Sequence, residues 1–212
     1  LVHITDIHHR GDRTYLQKVV ARINSLRPDS VCITGDLIGD MVDKQEHLDE
    51  VLSILSGIRS PVYGVPGNHD YWSKLSFDPI AECLAATGGA WLMDSTALTK
   101  DGFLHIIGLS GRTTSAPVPP RMKGKINVLL MHYPAWVKRL PDRYDLVLAG
   151  HSHGGQIRLP LYGAPVLPFS VDEYDLGLFH TPAGPLYVNP GLGWFPVAAR
   201  FNCRPEITLF EM

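Results

Sequence analysis

The sequence predicts an α/β protein in which two sheets pack face to face with helices on the outside. Two observations carry this. The first part of the chain alternates short apolar strands with amphipathic helices, the rhythm of a sheet covered by helices on one face. From Thr96 onward the chain becomes strand-rich, with little helical periodicity between the strands. The length of 212 residues corresponds to one domain at ~100 to 200 residues per domain, so residues 1–212 are read as a single unit.

Val2–Thr5 is a short apolar strand. Thr14–Leu26 follows, with Leu16, Val19, Val20, Ile23 and Leu26 at the spacing of one helix face, and Pro28 stops it. Val31–Thr34 is a second buried strand. Asp43 with Glu46 resembles a capping box, opening a helix that turns Leu48, Val51, Leu52 and Leu55 inward and closes at Gly57. Val62–Val65 is a third strand, and Asp78-Pro79 starts a helix through Ala86 that breaks at Gly88-Gly89. Thr96–Thr99 and Phe103–Leu109, joined by Lys100-Asp101-Gly102, read as an antiparallel hairpin. Ile126–Met131 and Asp145–Ala149 are two more buried strands, and Leu176–His180, Leu186–Val188 and Ile207–Phe210 supply strands in the tail. Ala116–Pro120 is the one proline-rich stretch.

Composition removes several classes of function. Hydrophobic residues at 45% and charged residues at 19% exclude a disordered or collagen-like chain. A net charge of -2 argues against nucleic-acid binding. Cys32, Cys83 and Cys203 are odd in number and far apart, which gives no disulfide framework, zinc ribbon or redox pair and leaves the compartment open. No apolar run approaches the ~18 residues of a membrane helix, so the chain as given reads as soluble. It opens at Leu1 inside an apolar strand, which leaves room for a leader or anchor ahead of it. At this length about 70% of the unfolded surface can be buried, so a metal here would serve chemistry more than folding.

Five polar clusters each stand where a buried strand ends: Asp6-Ile7-His8, Gly35-Asp36, Gly67-Asn68-His69-Asp70, His132, and Gly150-His151-Ser152-His153. Open α/β sheets place their sites at such strand ends. In extended chain, residues i and i+2 point the same way, so Asp6 pairs with His8 and His151 with His153, each pair aimed at one point. Glycines before Asp36, Asn68 and His151 suit tight turns and close backbone approach. Any one cluster occurs by chance; five in order mark a metal centre. Leaving His69 and Asp70 aside, the donors are four His, two Asp and one Asn, too many for one tetrahedral zinc and suited to two metals that share a carboxylate.

This ordered set resembles the calcineurin-like metallophosphoesterases, over Asp6 to His153. The resemblance implies a four-layer α/β/β/α sandwich. It implies that Asp6, His8 and His153 hold one metal, that Asn68, His132 and His151 hold the other, and that Asp36 bridges them. His69 would be the acid for the leaving group without binding metal, and Asp70 would orient its ring. The run Gly150–Pro160 and the tail Arg200–Ile207 resemble a bacterial branch of often membrane-anchored phosphoesterases, some of which hydrolyse UDP-diacylglucosamine in lipid A synthesis.

Charge arithmetic points to the same reaction class. Two divalent cations less two carboxylates leave roughly +2, and a bridging hydroxide leaves about +1, which favours an anionic ester. The expected mechanism is in-line attack of the metal-bridging hydroxide on phosphorus, in a phosphodiester or pyrophosphate. Imidazole-rich donors suit Mn, Fe or Zn and disfavour Mg. The alternatives are a protein or small-molecule phosphomonoesterase, and a non-catalytic scaffold of the same fold. Arg10 is read either as a contact to substrate phosphate or as a solvated loop arginine, and Asp40 either as a hydrogen-bond partner near Asp36 or as the start of the next helix. His9 is assigned to the surface or the substrate edge, and Asn189 to a turn. Leu159–Phe169 is either a packed loop or an apolar wall near the metals for a lipid chain or a membrane surface, which Trp194 and Phe195 would extend.

Overall fold

A computed structural model of the chain describes residues 1–39, 44–112 and 117–212. Asp40, the expected capping residue Asp43 and Ala116 lie outside the described residues. In chain order the elements are β1 (Val2–Ile4), α1 (Arg13–Leu26), β2 (Val31–Ile33), α2 (Lys44–Leu55), β3 (Val62–Gly64), α3 (Asn68–Ser73), α4 (Asp78–Ala86) and β4 (Ala90–Trp91). They continue with β5 (Ser95–Leu98), β6 (Leu104–Gly108), β7 (Ile126–Leu130), β8 (Leu146–Ala149), β9 (Gly177–Thr181), β10 (Gly184–Val188) and β11 (Thr208–Leu209), with short 3-10 turns at Pro134–Arg139 and His153–Gly155.

The strands form two mixed sheets, in the orders β11-β1-β2-β3-β4 and β5-β6-β7-β8-β10-β9. In the first, β1 to β4 run parallel and β11 antiparallel beside β1, with Val2 opposite Val31 and Val31 opposite Val62. In the second, β6, β7, β8 and β10 are parallel, and the edges β5 and β9 are antiparallel.

Apolar side chains on both faces of each sheet give three cores. Leu16, Val20 and Ile23 of α1, Leu48, Val51 and Leu55 of α2, and Ile80 and Leu84 of α4 cover the outer face of the first sheet. Asp12 starts α1 by accepting the Tyr15 N–H at 3.0 Å. Between the sheets lie Cys32, Tyr63, Ile106, Val128, Leu130 and Leu148. On the far face Ile107, Leu129, Val147 and Leu186 pack against Val137 of the Pro134–Arg139 turn and Tyr174. This outermost layer is thinner than the helical layer opposite, since a 3-10 turn and loops build it among the described residues. Strands with both faces buried read as unbroken apolar runs, which is why β6, β7 and β8 were legible without alternation.

Candidate metal centre

All seven candidate ligands follow the carboxyl ends of parallel strands: Asp6 and His8 after β1, Asp36 after β2, Asn68 after β3, His132 after β7, and His151 and His153 after β8. All seven are buried. The chain is not extended there. Asp6, His8, Asp36, His151 and His153 adopt left-handed backbone, with φ of 47°, 43°, 56°, 68° and 50°. Each such residue costs of order 1–3 kcal/mol, and strain of this kind gathers at functional sites. The extended-chain argument is corrected accordingly. Asp6 and His8 still converge, with Asp6 Oδ1 3.8 Å from His8 Nε2. His151 and His153 part instead, one reaching His132 and the other His8.

Gly150 lets the two sheets meet at the site. A Cβ there would lie 2.1 Å from Thr5 Oγ1 and 2.5 Å from Asp6 Oδ2. With no side chain in the way, the His151 N–H donates to Asp6 Oδ2 at 2.9 Å and locks the end of β8 onto the end of β1.

Two clusters of donors result. In the first, the Nε2 atoms of His8 and His153 are 3.1 Å apart, and Asp6 Oδ1 lies 3.5 Å from His153 Nε2. In the second, His132 Nε2 lies 3.1 Å from Asn68 Oδ1 and 3.2 Å from His151 Nδ1. Asp36 Oδ2 stands between them, 3.5 Å from His8 Nε2 and 3.3 Å from His132 Nε2.

Hydrogen bonds behind the second cluster fix its tautomers. His132 Nδ1 contacts the Thr34 carbonyl at 2.6 Å and His151 Nε2 the Phe169 carbonyl at 2.8 Å. A carbonyl only accepts, so those nitrogens carry the hydrogens and the lone pairs of His132 Nε2 and His151 Nδ1 face each other. Facing lone pairs 3.2 Å apart repel unless a cation or proton sits among them. In the first cluster, buried Asp6 Oδ1 accepts no hydrogen bond among the described residues, an orphan that a metal would satisfy. The donor set therefore fits divalent cations.

The electrostatics agree. Burial pushes His8 well below the usual range and His151 down to about 3, and it lowers His153, so these rings are neutral and ready to ligate. Burial opposes charge on His132 too, yet Asp36 beside it wins and raises it to about 9. Burial alone would raise Asp36, but His132 holds its carboxyl well below the usual range, and Asp6 is raised by burial. Without metal the proton thus sits on His132, and metal binding must displace it.

The chain's first 155 residues match the family model described as calcineurin-like phosphoesterase. The chain belongs to the calcineurin-like phosphoesterases. Relatives agree: it is 30% identical to the uncharacterized metallophosphoesterase YkuE of Bacillus subtilis, over 99% of this chain and 76% of that protein. It is 30% identical to phosphodiesterase YaeI of Escherichia coli, over 100% of this chain and 81% of that protein. Among solved structures, TT1561 of Thermus thermophilus superposes with a TM-score of 0.58 at 14% identity, over 90% of this chain and 88% of that one. A dimetal phosphatase from Danio rerio gives 0.56 at 13%, over 90% and 86%. These two share the fold. As a calcineurin-like phosphoesterase, the chain is a metal-dependent phosphoester hydrolase.

His69 lies at the edge of the donors of this phosphoesterase. Its N–H donates to Asp36 Oδ1 at 2.8 Å, and one of its ring nitrogens lies within 4.8 Å of ligand atoms of His8 and Asp36. Phe195 and Trp72 flank its ring, with centroids 4.3 and 4.8 Å away. The expected contact of Asp70 with that ring is corrected. Asp70 accepts the backbone N–H groups of Asp36 and Gly67 at 2.8 Å and of Leu37 at 2.9 Å. It caps α3 and holds the Asp36 loop against it; burial and the Asp36 charge push its pKa up to about 7. Asp70→Ala is expected to strand three buried N–H groups at ~1–3 kcal/mol each. A loss of at least about 3 kcal/mol should appear as a lower urea midpoint for the metal-free protein, and an unchanged midpoint would remove the clamp role.

A cavity of about 480 Å³ opens over the donors. Asp36, Asn68, His69, His151 and His153 form its polar floor, and Trp72, Ile157, Val166–Phe169 and Phe195–Val197 its apolar walls. The segment Leu159–Phe169 therefore divides. Its second half lines the cavity, whereas Leu161 and Tyr162 project into solvent from a turn closed by the Leu159 and Gly163 backbones. Arg10 stacks on Trp194 at 4.3 Å and lines a separate recess of about 280 Å³ with His8, His9 and Arg200. His9 is not a surface residue; it is buried, with Nε2 2.8 Å from Glu50 Oε2 on α2. Asn189 accepts the Gly191 N–H at 2.7 Å, the turn role expected. Sequence reasoning missed Trp72 and the carbonyls of Thr34 and Phe169. No side-chain pattern announces a carbonyl, but Asp70 at the third position of α3 is a capping signal that could have placed Trp72 on a helix.

Proposed function

We propose that the chain hydrolyses phosphodiester or pyrophosphate bonds with two divalent metals. Asp36 carries this reading, because a single carboxylate stands within 3.5 Å of a donor nitrogen in each cluster. Asp6, His8 and His153 would hold one metal, Asn68, His132 and His151 the other, with Asp36 between them. Two bound cations of Mn, Fe or Zn supply the charge that activates a water nucleophile and offsets negative charge on the phosphoryl oxygens. His69, flanked by Trp72 and Phe195, delivers a proton to the leaving oxygen. The exposed apolar side chains of the walls favour a substrate that carries an apolar portion beside its phosphate. A lipid-linked pyrophosphate such as UDP-diacylglucosamine has that shape, and peripheral contact with a membrane would bring it to the cavity. No helix among the described residues is long and apolar enough to cross a membrane. Arg10, stacked on Trp194 beyond His8, is the candidate contact for a distal phosphate.

The deciding assay compares bis-p-nitrophenyl phosphate with its monoester in Mn. Preferred turnover of the diester, abolished by chelation and restored by metal, is expected. Preference for the monoester would favour a phosphatase acting on protein or small molecules, and no turnover by the metal-loaded protein would favour a scaffold. For the apolar walls, Val166→Asp with Val197→Asp is expected to raise KM at least tenfold for a diacylated UDP-sugar, at ~0.8 kcal/mol per buried CH₂. KM for bis-p-nitrophenyl phosphate should change little. Equal shifts on both substrates would remove the lipid reading.

A further inference from the structure

Phe169 belongs to both halves of the site. Its side chain lines the apolar wall, while its carbonyl accepts the Nε2–H of His151 at 2.8 Å. Its ring also packs on the His151 ring, with centroids 4.9 Å apart. Among the described residues, 164–169 make no backbone–backbone hydrogen bond, and Pro165 and Pro168 have no N–H to offer. The segment is anchored on either side, by the Leu159–Gly163 turn and by the Ser170 carbonyl, which accepts the Ala135 N–H at 3.1 Å. Between those anchors it leans on the His153–Gly155 turn. A Cβ on Gly155 would lie 2.3 Å from Ala164 Cβ and 3.0 Å from the Val166 carbonyl, and Gly155 has a φ of 73°.

We propose that residues 164–169 form a strap that positions His151, holding its Nε2–H so that Nδ1 faces His132, and that this strap governs metal retention at that cluster alone. The proposal rests on the two-metal reading. The geometry makes it selective: among the described residues the Nδ1 atoms of His8 and His153, in the other cluster, have no hydrogen-bond partner, so no strap carbonyl aims their rings. A ligand leaning on Val166 or Phe169 therefore pushes on the element that aims one histidine. Phe169 is a positioning residue.

The test uses the full chain, with Gly155→Ala to lift the strap and Phe169→Gly to slacken it without touching the turn. In the metal-free protein, long-range ¹H–¹⁵N NMR of the histidines should show His151 as the Nε2–H tautomer, and the variants should lose that single form. Titration with Mn alone should show two sites in the unmodified protein. Phe169→Gly should weaken one of them about 10–100-fold, the usual cost of losing a partner behind a metal-bound histidine, with the other unchanged; Gly155→Ala should weaken that site too, and the other to a lesser degree, because it also strains the turn that carries His153. Should Gly155→Ala fail to fold, Phe169→Gly decides. In Phe169→Gly, unchanged affinities with an unchanged tautomer, or equal weakening of both sites, would overturn the strap. If the unmodified protein binds fewer than two Mn, the two-metal reading fails, and the strap's role at a second metal falls with it.

Discussion

Asp36→Asn is expected to leave a folded protein that retains neither metal well. The carboxylate has two tasks, and asparagine keeps one of them. Its amide oxygen can still accept the His69 N–H that Asp36 Oδ1 takes at 2.8 Å. The charge between His8 Nε2 at 3.5 Å and His132 Nε2 at 3.3 Å is lost, and with it the group nearest to both clusters. A unit charge 4 Å from another contributes about 4 kcal/mol at an effective dielectric of 20, and each divalent cation feels at least that. A drop of about 10³-fold or more in affinity at both positions follows. Elemental analysis after gel filtration should fall from two metals per chain toward none. Loss of one metal with the other held would show that Asp36 serves a single cluster.

The outline of this site was legible because its parts are local. Each apolar strand ends in a polar residue, so β1, β2, β3, β7 and β8 could be found and their ends compared. The α1 and α2 faces followed from apolar spacing that burial of Leu16, Val20, Leu48 and Val51 bears out. Short elements were missed for a physical reason. β4 has two residues and α3 six, too few for a period to show, and both depend on tertiary partners: β4 pairs with β3, and α3 is capped by Asp70. The parting of His151 from His153 was hidden in backbone conformation. Extended spacing predicts one shared direction, but left-handed φ at both residues, with Gly154 just beyond them also left-handed, turns the second ring away. His9 shows the opposite limit: a histidine beside the candidate ligand His8 looks chemical in sequence, yet it pairs with Glu50, forty-one positions along the chain.

His69→Ala is expected to keep its metals and lose rate in proportion to how poor the leaving group is. Its imidazole shares the neighbourhood of His8 and Asp36, with donor atoms within 4.8 Å, so proximity alone would also admit a ligand role. Two features favour proton delivery. Asn68 beside it already aims Oδ1 at His132 Nε2 from 3.1 Å, and the His69 ring turns its edge to His8 at 83° with centroids 4.7 Å apart. Phe195 and Trp72 flank the ring where it lines the cavity floor. General acid help is worth ~10²- to 10⁴-fold, and it matters where the departing oxygen is basic. An alkyl phosphodiester should therefore lose roughly 10²-fold or more, while bis-p-nitrophenyl phosphate, whose leaving group departs as a stable anion, should lose far less. Mn content measured on the same preparations separates the two roles: retained metal with a steep dependence on leaving group assigns His69 to proton delivery, and lost metal or equal losses on both esters assigns it to the ligand shell.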